Sequence, residues 1–305
     1  MRHQRILVTG GCGFIGRNLI GRFLHLDKEV VSIGGSERNG DEVRGCRYIY
    51  GRISRELLSA VDFTPEIVFH LAGGASVGQS IADPIQDFTK TVLSSVVLLE
   101  YLRRNYPMAQ LVYVSSAAIY GDASRRVASH DVACHPVSPY GVHKRMVESL
   151  LVDYARMYST QSVIVRPFSV YGPGLQKQLL WDALKKAEQG SFEFFGSGRE
   201  LRDWIYIADL VECLVRISAY AGRDVPIFNA GTRHGISVRE ILTTLYDVAK
   251  INRAPVFLGR IKEGDPERLV ADDSAEAVVG PVFKTPLLRG LQEYVEWYHS
   301  RVSGC

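Results

Sequence analysis

The 305-residue chain has no long hydrophobic run: stretches such as Ile6-Leu7-Val8 and Val96-Val97-Leu98-Leu99 fall far short of the roughly 20 apolar residues a membrane span requires. It also lacks an excess of either charge. A net charge of +3 gives no electrostatic reason to expect nucleic acid or a membrane surface as a partner. Cysteine is scarce and unpatterned: Cys12, Cys46, Cys134, Cys213 and Cys305 are odd in number and show no ligand spacing. They read as reduced thiols of a cytoplasmic protein, and Cys305, as the last residue, forms no prenylation box. The eight histidines do not cluster with cysteines or carboxylates, so no metal is expected. Met1 to Arg5 run almost directly into an apolar strand with no secretory hydrophobic region, and no repeat, low-complexity tract or linker interrupts the chain. Hydrophobic content of 46% and charged content of 23% suit one large or two intimate globular domains.

What is present begins with Arg5-Ile6-Leu7-Val8-Thr9, a buried strand by its run of apolar residues. It enters Gly10-Gly11-Cys12-Gly13-Phe14-Ile15-Gly16, and a helix follows with Leu19, Ile20, Phe23 and Leu24 on one face. Gly11, Gly13 and Gly16 satisfy G-x-G-x-x-G in a strand–turn–helix setting, where glycines permit close backbone approach and the helix start receives a pyrophosphate. The second strand, Glu29 to Ile33, ends in Gly34-Gly35-Ser36-Glu37-Arg38, with no carboxylate at its end for a ribose 2′-hydroxyl. Ser36 and Arg38 suit a 2′-phosphate and Glu37 suits a free hydroxyl, which leaves both NADP and NAD open. Arg47–Tyr50, Glu66–Leu71, Leu111–Ser115 and Ser162–Arg166 continue the strands, with one helix from Pro84 to about Asn105 and another from Pro139 to about Tyr158. This alternation predicts an α/β fold with a doubly wound parallel sheet over residues 1–168, to which segments near 205–232 return. Residues 169–305 read as a smaller α/β lobe that binds substrate, with a cleft between the two. Arg202-Asp203-Trp204 precedes a helix through Ile217, and Ser237-Val238-Arg239-Glu240 is a capping box.

The chemistry centres on Ser138-Pro139-Tyr140-Gly141-Val142-His143-Lys144. Ser138 caps a helix, Pro139 occupies its first position, and Tyr140 and Lys144, four apart, share one face. A phenol titrates near pKa ~10, so a useful base near neutrality needs a fall of ~3 units, about 4 kcal/mol. A neighbouring ammonium and the positive helix end push in that direction. The bland alternative is an exposed Tyr and Lys on a solvated helix.

These residues resemble the extended short-chain dehydrogenase/reductase family of nucleotide-sugar epimerases, dehydratases and reductases, whose sheet is a Rossmann fold. The resemblance spans nearly the whole chain. It rests on Thr9–Gly16, His70-Leu71-Ala72, Ser115–Asp122, Ser138–Lys144, Arg166–Pro173, Arg202-Asp203-Trp204 and Gly264-Asp265-Pro266. It implies that Tyr140 is the base at a sugar hydroxyl, that Lys144 lowers its pKa and holds the nicotinamide ribose, and that Ser116 bonds the same sugar oxygen. It implies cofactor contacts from Gly10, Gly13, Phe14, Ile15, Gly16, Gly34, Ser36, Arg38, Arg52, Leu71, Ala72, Gly73, Tyr140, Lys144 and Pro167. Substrate contacts fall on Ser76, Ser116, Ser169, Gln178, Leu179, Trp181, Phe195, Arg202 and Lys262. Arg202 and Lys262 suit a diphosphate, against the alternative of a surface charge or an ion pair with Asp203 or Asp265. Trp181 either stacks on the base or sugar or fills the lobe core.

Departures from the family pattern are informative. Gly34 replaces the ribose-binding acid, Arg52 stands where an adenine-contacting Asp is usual, and Ser169 and Thr91 each replace an Asn. Ala117 and Ala118 stand where dehydratases carry an acid pair, which disfavours a 4,6-dehydratase. The leading expectation is an NAD(P)-dependent 4-epimerase of a nucleoside-diphosphate sugar. The alternative is an NADPH-dependent reductase of a 4-keto-6-deoxy nucleotide sugar, and a non-catalytic dinucleotide sensor is a third reading. Val92, Leu93, Val96, Val97 and Leu99, with Val147, Leu150, Leu151 and Tyr154, suggest a homodimer through paired helices.

Overall fold

The computed structural model describes residues 4–35, 42–121, 132–260 and 266–302. Ser36, Glu37, Arg38, Asp122, Lys262, Gly264, Asp265 and Cys305 lie outside them. In chain order come β1 (Arg5–Thr9), α1 (Phe14–His25), β2 (Glu29–Ile33), β3 (Arg47–Ile49), α2 (Arg55–Ser59), β4 (Ile67–His70), α3 (Val77–Ala82), α4 (Pro84–Phe88) and, after a π-helical turn at Thr89–Leu93, α5 (Ser94–Asn105). β5 (Gln110–Val114), a 3-10 turn (Ala117–Tyr120), α6 (Pro139–Tyr158) and β6 (Gln161–Pro167) follow. The remainder is β7 (Ser169–Tyr171), α7 (Gln178–Glu188), β8 (Glu193–Phe194), β9 (Leu201–Tyr206), α8 (Ile207–Ile217), β10 (Ile227–Ala230), β11 (Gly235–Ser237), α9 (Val238–Val248), β12 (Val256–Phe257), β13 (Arg268–Leu269), α10 (Ser274–Val279) and α11 (Leu287–Val302).

By its contacts the chain divides into two compact units. The first holds the residues up to Gly121, Ala133–Arg166 and Val211–Phe228; the second holds Pro167–Leu210 and the chain from Asn229 onward. A seven-stranded sheet runs in the order β10-β6-β5-β4-β1-β2-β3, and every pairing from β3 across to β6 is parallel. β1 and β4 are neighbours, so the chain reverses direction across the sheet between them. In parallel sheets of this kind ligands sit beyond the carboxyl ends of the strands at that reversal. The strands are apolar on both faces, as a sheet covered by helices must be: Leu7, Val31, Val68, Leu111 and Ile164 meet Leu98, Leu102, Val147 and Leu151 in one core.

The helix starts follow from local chemistry. The Ser138 hydroxyl accepts from Gly141 N at 3.2 Å, with Pro139 at the first helical position, and Ser237 accepts from Glu240 N at 3.1 Å. Arg202-Asp203-Trp204, expected only to precede a helix, lies inside β9, which pairs with β7, β11 and β13 in the second unit's own sheet. The expected helix from Pro84 to Asn105 forms in three parts, because the turn at Thr89–Leu93 widens to a π-helix. Among the described residues no helix is long and apolar enough to cross a membrane.

The residues expected to form a partner surface are a correction. Val92, Leu99, Val147, Leu151 and Tyr154 are buried in the core, and Val97 and Leu150 pack against it. Of the set only Leu93 is exposed, at 50%. The apolar residues that face outward include Ile81, Ile85 (79% exposed), Phe88, Val142 and Met146, on α3, α4 and the first half of α6.

Candidate active site

The glycine turn is built as an anion cradle. Gly10 has φ +75°, and a Cβ there would stand 2.8 Å from the Ala72 nitrogen, so the turn lies directly on the segment after β4. Gly13 caps α1 with extended backbone and no side-chain hydrogen bond, and no acid occupies the helix's first turn. Gly16 lies against the Gly10 carbonyl, where a side chain would not fit. The free N–H groups at this helix start and its positive dipole end suit a pyrophosphate. Buried hydroxyls of Ser32, at the end of β2, and Ser115, after β5, have no hydrogen-bond partner among the described residues. A dinucleotide therefore fits what this edge of the sheet offers.

Gly10, Gly13, Phe14, Ile15, Gly16, Leu71, Ala72 and Gly73 lie along this edge, in the turn, the start of α1 and the loop after β4. Gly34 follows β2 with φ +131°, and a Cβ there would stand 3.2 Å from Gly10 N. The backbone shape itself explains why no acid stands at this point. A carboxylate does lie beyond the neighbouring Tyr50 ring, which borders Gly35: Glu42 Oε1 accepts from Tyr50 Oη at 2.7 Å. Sequence distance from the glycines gave no signal for Glu42. Arg52 is exposed after β3, and Pro167 ends β6.

The loop after β4 is held by a chain of ordered protons. Ser95 Oγ donates to the Thr91 carbonyl at 2.5 Å and so must accept from His70 Nε2–H at 2.8 Å. His70 Nδ1 then accepts from Thr9 Oγ1–H at 2.6 Å, and Thr9 Oγ1 accepts from Ala72 N at 3.3 Å. Thr91 Oγ1 receives Gly74 N–H at 2.8 Å. The π-turn places both the carbonyl and the hydroxyl of Thr91 in this chain, a use typical of such turns at functional sites. Burial, with the Lys144 charge adding, pushes the His70 imidazole down to about 3. It is therefore neutral throughout the ordinary pH range.

Tyr140 and Lys144 sit at the start of α6, beside the 3-10 turn that Ser116 caps by accepting from Ala118 N at 3.1 Å. The Ser116 hydroxyl also lies close enough to the Tyr140 phenol to favour its ionised form. Lys144 is buried, donates from Nζ to the Val114 carbonyl at 2.9 Å, lies 5.0 Å over the Tyr113 ring and borders Gly73. The bland alternative of two solvated side chains does not hold for Lys144. The expected fall in the phenol's pKa is also corrected. Burial raises Tyr140, the Ser116 hydroxyl opposes that rise, and the Asp87 carboxylate adds to it. Burial brings Lys144 down to about 8, while Asp87 and Glu148 hold its proton on. Low dielectric outweighs the helix end here. Asp87 and His143, which sequence reasoning passed over, form a buried pair at 2.6 Å. Their one sequence signal was an acid and an imidazole each facing inward on an amphipathic helix.

Ser76 caps α3 by accepting from Gln79 N at 3.3 Å. In the second unit, Ser169 opens β7 opposite Trp204, Gln178 (φ +68°) and Leu179 open α7, and Phe195 is 57% exposed after β8. Arg202 is buried on β9 and donates to the Leu201 carbonyl at 2.9 Å. Its suggested partner Asp203 is engaged otherwise, accepting from Thr232 N and Oγ1, Arg233 N and Ala271 N. Trp181 packs on Trp297 and Tyr298 of α11, with ring centroids 6.0 and 5.1 Å away. Of its two readings, the contacts favour the lobe core. Among the described residues, no three His, Cys, Asp or Glu side chains converge as a metal ion would need.

A glycine turn between a parallel strand and a helix, with a Ser–Tyr–Lys set around β5 two strands along the same sheet, defines the class: a nicotinamide-dinucleotide enzyme acting on a carbinol. Residues 6–231 match the model of the NAD-dependent epimerase/dehydratase family, and the chain belongs to that family. A UDP-glucose 4-epimerase from Mycolicibacterium smegmatis is 29% identical, with the match covering 98% of this chain and 99% of the relative. The structure of a UDP-glucose 4-epimerase from Thermotoga maritima with UDP-glucose superposes with a TM-score of 0.90 at 28% identity, covering 98% of this chain and 100% of that one. That of a Thermus thermophilus UDP-glucose 4-epimerase in complex with NAD gives 0.88 at 26% identity, covering 97% and 99%.

Proposed function

We propose that the chain is an NAD-dependent 4-epimerase of a uridine-diphosphate hexose. The observation that carries the reading is the Tyr140 phenol, with the Ser116 hydroxyl close enough to favour its ionisation, beside buried Lys144 at the strand edge that holds the glycine turn. Full-length similarity to UDP-glucose 4-epimerases supports the substrate class. The glycine turn, the start of α1, Ala72 and Gly73 would hold the dinucleotide, which supplies hydride acceptance and return at the sugar carbon. Tyr140 Oη takes the proton of the C4 hydroxyl and later gives one back, so a single group serves both directions. Ser116 Oγ shares that oxygen and keeps the phenol aligned with it. The Lys144 ammonium, fixed on the Val114 carbonyl, offers positive charge without rotamer freedom. Ala117 and Ala118 bring no acid to protonate a departing C6 hydroxyl, which supports epimerisation over dehydration.

Glu42, at the far end of the Tyr50 ring that borders Gly35, supports NAD over NADP, because a carboxylate repels a 2′-phosphate. The outward apolar residues of α3, α4 and α6 support a homodimer. A cytoplasmic setting is supported by Cys12, Cys46, Cys134 and Cys213, which form no disulfide among the described residues. The test is interconversion of UDP-glucose and UDP-galactose by purified protein without added nicotinamide, with a loss of about 1,000-fold or more in Tyr140→Phe. Stoichiometric NADPH consumption on a 4-keto sugar, with no interconversion, would establish the reductase instead.

A further inference from the structure

The Asp87–His143 pair is absent from the set of groups that the family resemblance assigns to the reaction, yet it lies against that set. Asp87 Oδ2 accepts from His143 Nδ1 at 2.6 Å, and the two side chains are 6% and 10% exposed. The Phe88 ring stands edge-on to the imidazole, with centroids 5.5 Å apart. The other carboxylate oxygen, Oδ1, lies against Gly74, one residue beyond the glycine that borders Lys144. His143 is three residues after Tyr140 and one before Lys144, so α6 delivers all three to one end of the helix. A buried carboxylate this close to a phenol and an ammonium cannot be electrically silent.

We propose that Asp87, held in place by His143, is a positioning residue that sets the balance of protons between Tyr140 and Lys144. This rests on Tyr140 being the base. The carboxylate holds the proton on Lys144 and opposes ionisation of Tyr140 and of Tyr113. His143 Nδ1 holds Oδ2, which fixes the carboxylate of Asp87 beside the phenol and the ammonium. Among the described residues the other titratable or charged groups on neighbouring elements are few, and the one nearest Lys144 on β4 is the buried, neutral His70. Glu148 of α6 is bound to Arg166 of β6, Tyr120 of the 3-10 turn accepts from that Arg166, and Tyr113 lies on β5. Lys90 of the π-turn is exposed on Gln86, Glu100 of α5 pairs with Arg103, and α3 brings no charge.

Asp87→Asn removes the charge with the shape kept. In protein labelled with 13Cζ-tyrosine and free of substrate, the Tyr140 signal, identified by its loss in Tyr140→Phe, should titrate at lower pH in Asp87→Asn than in the native chain. Both arms of the pH profile of kcat/KM should move to lower pH as well. His143→Gln leaves Asp87 charged and still offers it an N–H, so its tyrosine titration and both arms should stay where the native chain has them. If Asp87→Asn leaves both the tyrosine titration and the positions of the arms unmoved, and only lowers the rate, the pair is structural and the proposal fails. Should Asp87→Asn not fold, the double variant Asp87→Asn/His143→Gln, which pairs two amides, takes its place, and an unmoved tyrosine titration in it would overturn the proposal. Full activity in Tyr140→Phe would remove the 4-epimerase reading itself, while the tyrosine titration would still report the charge coupling.

Discussion

Acid should act on this protein through His70, and the size of the effect can be worked out from the structure. The imidazole is buried, accepts from Thr9 and donates to Ser95, with its folded pKa at about 3. In the unfolded chain a histidine titrates near ~6.5. Because the folded value is depressed, the unfolded state binds the proton first. The stabilising contribution is complete above about pH 6.5 and is lost as pH falls toward about 3. Between about pH 7 and about pH 4.5 this one group should cost roughly 2.5 kcal/mol, the linkage free energy for those two pKa values. The assay is urea unfolding of the native chain and of His70→Gln at both pH values. Gln keeps polar atoms near both partners and cannot titrate, so the contributions of all other groups cancel in the double difference. The native chain should lose roughly 2.5 kcal/mol more than the variant on acidification. Equal losses in the two proteins would refute the ordered chain from Ala72 through Thr9, His70 and Ser95 to Thr91.

Asp203→Ala should cost about 3 kcal/mol or more in urea unfolding, because it strands the backbone N–H groups of Thr232, Arg233 and Ala271 that the carboxylate now receives. A loss below about 1 kcal/mol would mean that those groups find other acceptors. Ile85→Glu should convert a homodimer to monomer in sedimentation at micromolar concentration, since it places a charge in the outward apolar surface of α3, α4 and α6. A native chain that sediments as a monomer would remove the dimer proposal.

The parts of the fold legible in sequence are those coded by neighbours along the chain. The glycine turn announced itself through its strand before and helix after, and Ser138-Pro139 and Ser237–Glu240 capped the helices they were expected to cap. Tyr140 and Lys144 were legible as a pair because one helical turn separates them. What the sequence concealed depends on side chains that meet across long separations. Asp87 and His143 are 56 positions apart, and His70 reaches both Thr9 and Ser95 from different elements. The ionisation of Tyr140 was misjudged for the same reason: spacing reveals a nearby ammonium, but only packing reveals how dry the phenol is and that a carboxylate faces it. Apolar residues on α5 and α6 were counted as surplus because periodicity does not say how much of a helix the sheet covers. Val147 and Leu151 are wholly within the core, and Ile85 and Phe88, on a shorter helix, are the ones left outside.

The widened turn at Thr89–Leu93 makes the spacing along this stretch a fixed length rather than an adjustable one. The wide turn already absorbs one residue beyond a regular helical ladder, and removing a residue from the regular turn that follows it would rotate α4 by about 100° about the axis of α5. Asp87 would swing away from His143, and Ile85 and Phe88 would turn to a different side. Insertions and deletions in this gene should therefore be tolerated in surface loops and purged between Pro84 and Ser95, although that stretch contains none of the three groups proposed to handle the sugar's proton.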